Sequence, residues 1–550
     1  TGNNERTLRY WWEIDSSNIS MSLEDNQDKN YVFYPKGGPF NKWYGNNWII
    51  IAYNNKEKYK WLKTHGNCLP SEGFYLKEGV TYCSSGSRGC SFRYLPLNQV
   101  ISGAGPGIYP SDVFSDIYYY LAFLNSTMSV YLLDCLNPTV NVTQGDIKRI
   151  PFVQPEESNR NIISLISKQC VHIKQYLCIY SVAEFDYCKS PISKKGNTQN
   201  ELLSFYSYEN ALLTQILLNE AIINEKVFDI YELSAHDRQM VLDKEGIPVG
   251  SLPVSAAAKA AYTECLNNNK EFPATTELND YLAALPVNDE QPTVDDFETL
   301  YQNNNGWEEF CIKHQMNPIE VWYQFKNAHI LPPQRTQTLA FELITDVIRT
   351  VLAKDDDGVI PLSKRLGEDQ LSDRIEQELN NRGYSAAQIS QIIQLLGSPL
   401  DDYLLNRFFQ QLSDHLNLFM YLPKTPFIWH ITSGTHHALE VYISIYKWSR
   451  NTLMRIKSVY AAHAETQYND RLTSLDTTQA ADQIEADDIK EKLKELRTFT
   501  DKIDILLASG YDPILDDGVG KNIAPLQQAG LLSYEVLNPG QLKKYLNADW

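Results

Sequence analysis

The chain has 550 residues and a formal net charge of −19, with 43% apolar and 21% charged residues. That length predicts about two to four domains, each able to bury its own core, and the composition excludes wholesale disorder. No run of about 18 apolar residues occurs, which excludes a transmembrane helix.

Residues 1–153 are punctuated by Gly, Pro and Asn, with short β-prone runs at 9–14, 31–34, 48–53 and 99–101. A helix is expected from Ser111 to about Leu136, capped by Ser111 or Asp112. Leu121, Leu124, Met128, Leu132 and Cys135 recur there at helical spacing, and Pro138 stops it. Residues 154–333 read as a helical connector or insertion, broken late by Pro248, Pro253, Pro273, Pro286 and Pro292. A helical domain is expected over 334–450. Residues 451–550 read as a long helical hairpin and a tail. The fold class is α+β: a β-rich front domain, 1–153, followed by mainly α-helical domains. Within the hairpin, residues 490–497 alternate Lys, Glu and Leu; a solvated face is the first reading and a docking coiled coil the second.

The acidity is uneven. Residues 1–153 hold 14 Lys and Arg against 13 Asp and Glu, and the remainder holds 35 against 55. A near-neutral front can still present a basic face to phosphate, whereas the acidic remainder is a poor surface for a polyanion.

No catalytic constellation stands out. Nine cysteines, an odd number and few for the length, fit a reducing cytoplasm. Cys83 and Cys90 lack the spacing of a zinc site, and His430, His436 and His437 show no carboxylate at ligand spacing on a recognisable helix. Gly103, Gly105 and Gly107 superficially look like a nucleotide loop, but Pro106 and Pro110 argue against the helix such a loop must start. Asp512, Asp516 and Asp517 read as turn residues before Gly518 rather than as a calcium loop. An amino-methyltransferase acting on a flipped base needs an Asn/Asp-Pro-Pro-aromatic turn. Asn137-Pro138-Thr139-Val140 lacks the second proline and the aromatic ring. Catalytic residues, metal ligands and cofactor contacts are therefore all expected to be absent from this chain.

Two loops have recognition chemistry. Residues 36–47 mix two lysines, three asparagines, glycines and aromatics, and residues 84–94 carry Arg88 and Arg93 among Ser and Gly. Lys binds phosphate, Asn pairs with the adenine edge, and Trp or Tyr stacks. Residue types alone leave two readings open: an aromatic-rich β-domain with ordinary surface loops, which is the simpler, and a nucleic-acid reader.

The order of several blocks goes further. These are Thr1-Gly2 with Arg9-Tyr10-Trp11; Gly37-Gly38 with Lys42-Trp43-Tyr44-Gly45-Asn46; Gly79-Val80-Thr81-Tyr82; Phe92-Arg93-Tyr94-Leu95-Pro96; and Gly103-Ala104-Gly105-Pro106. Tyr118-Tyr119-Tyr120-Leu121-Ala122-Phe123-Leu124-Asn125-Ser126 then leads to Asn137-Pro138 and to Lys148-Arg149-Ile150-Pro151. Much later come Trp429-His430-Ile431-Thr432-Ser433-Gly434 and Asp516-Asp517-Gly518-Val519. Together they resemble the C-terminal half of the PglX/BrxX-type adenine-specific DNA methyltransferases of BREX phage-defence systems, with DISARM and type IIG enzymes as close relatives.

The resemblance implies a target recognition domain that reads and clamps DNA for a methylating half outside this chain, where S-adenosylmethionine would bind. Candidate DNA contacts are Lys36, Asn41, Lys42, Trp43, Asn46, Asn47, Arg88 and Arg93. The implied partners are double-stranded DNA, the N-terminal methyltransferase domain and other phage-defence proteins, with no membrane and a cytoplasmic location. The alternative is an acidic helical scaffold that binds protein partners of a defence complex without touching DNA.

Overall fold

A computed structural model describes residues 4–25, 28–64, 72–86, 89–111, 114–364, 368–419, 422–476 and 478–550. Thr1, Gly2, Arg88 and Asp112, all singled out above, lie outside the described residues. The fold is α+β with a mainly helical body and small three-stranded sheets, as the sequence pattern predicts. Two compact units form. One contains residues 1–19, 50–62 and 340–550; the other contains 20–49 and 63–339. Residues 1–153 are thus divided between the two units.

In the unit of residues 20–49 and 63–339, Gly79–Tyr82 pairs antiparallel with Phe92–Leu95, in the register Thr81↔Arg93 and Tyr82↔Phe92. Gly107–Ile108 pairs on the other edge of Gly79–Tyr82. Residues 99–101, expected as a strand, contribute only a bridge, with Val100 N donating to Phe33 O at 3.0 Å. The long helix Thr198–Ile230 is the centre of this unit. It buries Leu202, Tyr206, Leu212, Ile216, Leu218, Ile222 and Val227 together with Asn210, Thr214, Gln215 and Asn219, so it is enclosed on nearly all sides.

The single helix expected over 111–136 is two helices, Ile117–Asn125 and Thr127–Leu136. Side-chain hydrogen bonds explain the break. The buried Asn125 amide accepts from Phe92 N at 3.0 Å and donates to Phe92 O at 2.9 Å, acting as a strand partner. Ser126 then adopts an extended backbone and caps the second helix through Ser129 N. The first helix is capped by Asp116 rather than by Ser111.

In the other unit, Val359–Pro361, Glu440–Ser444 and Ile428–Thr432 form an antiparallel sheet with Glu440–Ser444 in the middle. The expected hairpin is present. It runs up through Arg450–Arg455, a π-helical turn Ile456–Ala461 and Ala462–Ser474, and returns as Ala480–Ala508. Lys457 meets Asp504 at 2.5 Å and Arg471 meets Glu485 at 2.6 Å, which fixes the antiparallel register. Leu493 and Leu496 point inward while Lys490, Glu491, Lys494 and Arg497 stay exposed, the solvated face expected for that run.

The first residues are anchored in this same unit. Trp12 Nε1 donates to Thr425 O at 2.9 Å, and Phe419 N donates to the Tyr10 hydroxyl at 2.9 Å. Buried Arg9 donates to Glu5 O, Leu8 O and Asp516 O at 2.6, 2.7 and 2.8 Å. Glu13 accepts from Val519 N at 3.0 Å, at the start of the helix Val519–Gln528. Blocks more than 400 residues apart in sequence thereby meet.

Candidate nucleic-acid interface

The segment 36–47 is built by its backbone onto the strand Phe92–Leu95. Trp43 N donates to Phe92 O at 2.9 Å, and Tyr94 N donates to Trp43 O at 2.8 Å. Trp43 holds a left-handed backbone, φ 73°, so its indole turns into the unit and is buried. The indole Nε1 donates to Glu220 Oε1 at 2.6 Å, and the Lys42 ammonium donates to Glu220 Oε2 at 2.8 Å, with Glu308 at 3.8 Å. Asn41 and Asn46 tie the turn together. Asn41 Nδ2 donates to Tyr44 O at 3.0 Å, and Asn46 Nδ2 donates to Pro39 O at 2.9 Å. Gly38, φ 119°, is required here because a Cβ would lie 2.8 Å from Asn46 Nδ2.

The seven candidate contacts among the described residues therefore separate by burial. Trp43, Asn46 and Arg93 are interior and shape the block. Lys36, Asn41, Lys42 and Asn47 are half-buried. Lys36 lies over the Tyr34 ring at 5.4 Å, and burial lowers the pKa of its ammonium. Asn41 and Lys42 line a cleft of about 680 Å³ with Phe40, Trp307, Glu308 and Glu309. The sequence reading missed Glu220, 178 residues from Lys42, although its place on a helix buried nearly all round marks a carboxylate that must find a partner.

Electrostatics are less favourable to phosphate than the front-to-back charge split suggested. Glu220, Glu308 and Glu309 share the cleft with Lys42 and Lys174. The units carry 26 Lys and Arg against 34 Asp and Glu, and 23 against 34, so both are net acidic.

Other sequence-level candidates resolve as structure. Asn137 spends its side chain on its own turn: Oδ1 accepts from Thr139 N at 3.1 Å, and Nδ2 donates to Asn141 O at 2.8 Å and Asp146 Oδ2 at 2.9 Å. The run 102–107 is a tight turn in which Ser102 Oγ accepts from Gly105 N and donates to Pro35 O, both at 2.7 Å. Gly107–Ile108 is a strand, so no helix starts there to receive a phosphate, and these residues do not fit an S-adenosylmethionine loop.

A carboxylate does reach the histidines. Glu440 Oε2 lies 2.8 Å from His430 Nε2, and Glu440 Oε1 accepts from His437 Nδ1 at 2.8 Å. Glu440 lies three residues beyond His437, a spacing the sequence reading passed over because both were sought on a helix rather than at a strand end. Among the described residues no group of three or more His, Cys, Asp or Glu side chains could hold a metal ion. No described helix is long and apolar enough to cross a membrane.

No protein-family profile matches the chain. An adenine-specific methyltransferase BrxX of Escherichia coli O9:H4 (strain HS) is 23% identical over 529 residues, covering 94% of this chain and 41% of the relative. An adenine-specific methyltransferase PglX of Lacticaseibacillus casei (strain Zhang) is 23% identical over 576 residues, covering 96% and 41%. The chain is similar to PglX/BrxX-type methyltransferases over nearly its whole length. The resemblance read from the ordered blocks is borne out. The chain spans about two fifths of the length of these PglX/BrxX-type relatives.

Several of the resemblance blocks meet one another within a unit. Lys42-Trp43 docks on Phe92-Arg93-Tyr94 in one unit, and Arg9 meets Asp516 in the other. The PglX/BrxX-type pattern is to that extent a pattern of internal packing.

Proposed function

We propose that the chain is the DNA-recognition and clamping half of an S-adenosylmethionine-dependent adenine-N6 DNA methyltransferase of a BREX-like phage-defence system, with the methylating domain N-terminal to it in the parent protein. The observation that carries this reading is the pair of relatives named adenine-specific methyltransferases, matched across 94% and 96% of this chain but only 41% of their own length. The committed Asn137 amide and the tight turn at 102–105 add support, since neither offers a methylation site here.

Under this reading Lys36, Asn41, Lys42 and Asn47 meet DNA, while Trp43, Asn46 and Arg93 position them. Double-stranded DNA, the methyltransferase domain and other defence proteins are the partners.

A duplex-binding titration of the full chain at two salt concentrations tests the reading. The full chain is needed because residues 1–153 belong to two compact units and do not make one. Binding should weaken with salt, and Lys36→Ala should lower the salt slope by about 1. Salt-independent or absent binding would remove the proposal. It would favour the second reading, an acidic scaffold for basic protein partners, which the net acidity of both units supports.

A further inference from the structure

One buried amide is left half-paired in the wall of a cavity. Gln215 is fully buried on the helix Thr198–Ile230, and its Oε1 has no hydrogen-bond partner. Its Nε2 reaches only Phe272 O, at 3.4 Å. A buried acceptor with no donor is unfavourable, so it points to a partner that the fold itself does not supply. The cavity that Gln215 lines has a volume of about 360 Å³ and lies between three helices. Tyr208, Ala211 and Gln215 recur at helical spacing on Thr198–Ile230, Ala261 and Glu264 face them from Ala256–Asn268, and Lys326 comes from Pro318–Ala328. The two alanines leave the space. Two hydrogen bonds hold the walls apart: the Tyr262 hydroxyl donates to Ala211 O at 2.9 Å, and Trp322 Nε1 donates to Ser207 O at 2.8 Å. Glu264 and Lys326 are exposed, so the cavity opens to solvent.

A second cavity, of about 480 Å³, continues along the same helix, and Tyr208, Cys265 and Lys326 line both. The chemistry changes from one to the other. The first holds the Gln215 amide and the Glu264 carboxylate. The second holds Lys326, His329, Ser204 and Ser207, and no carboxylate lines it among the described residues. Lys326 stands over the Trp322 ring at 5.2 Å and makes no ion pair among the described residues. An amide-bearing end and a cationic end are thus joined past one tyrosine ring.

We propose that the two cavities together take an adenine nucleotide, with the base in the first and the phosphate in the second. A carboxamide offers an acceptor beside a donor, which matches the N6–H and N7 of adenine. The Tyr208 ring gives the base a stacking face, Glu264 accepts from ribose hydroxyls, and Lys326 meets the phosphate. Both cavities lie within one compact unit. The site goes beyond the reading above, because it requires neither duplex DNA nor a methyl donor.

Equilibrium dialysis of the full chain against AMP tests it, with thermal unfolding as the control for folding. Wild type should bind AMP saturably. Gln215→Leu should weaken binding by about tenfold or more while unfolding at no lower temperature than wild type, since it removes an unmet polar group. Ala261→Phe should fill the first cavity and abolish binding. Lys326→Ala should reduce the affinity for AMP to that for adenosine. GMP, whose N7 and O6 offer two acceptors, should bind about tenfold more weakly than AMP. S-adenosylmethionine, which has no phosphate, should compete no better than adenosine. The proposal falls if AMP does not bind saturably, if Gln215→Leu or Ala261→Phe binds it as wild type does, or if S-adenosylmethionine binds more tightly than AMP. Should Gln215→Leu unfold early, Ala261→Phe and Lys326→Ala decide the matter, because neither removes a buried hydrogen bond.

Discussion

The carboxylate of Glu220 holds Lys42 by one oxygen, at 2.8 Å, and through its other oxygen it takes the indole N–H of Trp43 at 2.6 Å. The ammonium best placed in sequence to meet phosphate is thus neutralised from within its own unit. The same contact fixes the loop that presents it.

Glu220→Gln should separate these two roles. The neutral amide can still accept from the indole, but Lys42 loses its carboxylate contact at 2.8 Å, and both side chains are less than one-fifth exposed. Chemical denaturation should report a loss of about 1–3 kcal/mol. Duplex affinity at low salt should rise, because one competing negative charge is gone; a fall in affinity would count against Lys42 as a phosphate contact.

Gly518 should tolerate no side chain. Its φ is 93°, and a Cβ would lie 2.8 Å from Arg9 Nε, in the one place where Arg9 reaches the Asp516 carbonyl. Gly518→Ala should cost at least about 2 kcal/mol through backbone strain and displacement of a buried guanidinium. A loss below about 0.5 kcal/mol in chemical denaturation would show that Arg9 moves freely.

Glu495 makes stability depend on acid. Burial opposes its charge, but the Ser433 hydroxyl at 2.7 Å and the backbone N–H groups of His436 and Ala438 at 2.7 and 3.1 Å outweigh that and hold the carboxyl below its usual range. A carboxylate with a lowered folded pKa contributes its full stability above the unfolded pKa of about 4.3 and loses it as pH falls through the folded value. Glu495→Gln should therefore cost about 1–2 kcal/mol near neutral pH, and the gap to wild type should close in acid. Denaturation curves at several pH values check both parts.

Asn125→Ala should open the junction between the helix Ile117–Asn125 and the strand Phe92–Leu95. Both bonds to Phe92 go, so its buried N–H loses this acceptor while its C=O keeps the Trp43 N–H. About 2–3 kcal/mol of destabilisation is expected in chemical denaturation. Loss of duplex affinity should follow, since Phe92 O also accepts from Trp43 N.

Much of the architecture was legible locally. The hairpin over 451–509 follows from period and length, and the outward charges at 490–497 follow from the inward Leu493 and Leu496. The break at Ser126 was not legible, because Asn125 reads as an ordinary helix residue until Phe92 is brought beside it. The candidate interface was half legible. Residue type picked out the 36–47 block, but type says nothing about which side of a backbone a tryptophan faces, and the left-handed turn at Trp43 decides that.

By itself the sequence determined element types, the order of the blocks and the likeness to PglX/BrxX-type methyltransferases, because propensity, periodicity and motif order are properties of neighbours along the chain. Only the tertiary structure decided that Glu220 neutralises Lys42, that Arg93 is interior, and that residues 8–13 pack with Phe419, Thr425, Asp516 and Val519. Burial and charge compensation depend on partners far apart in sequence, and folding is what brings those partners within a few ångströms.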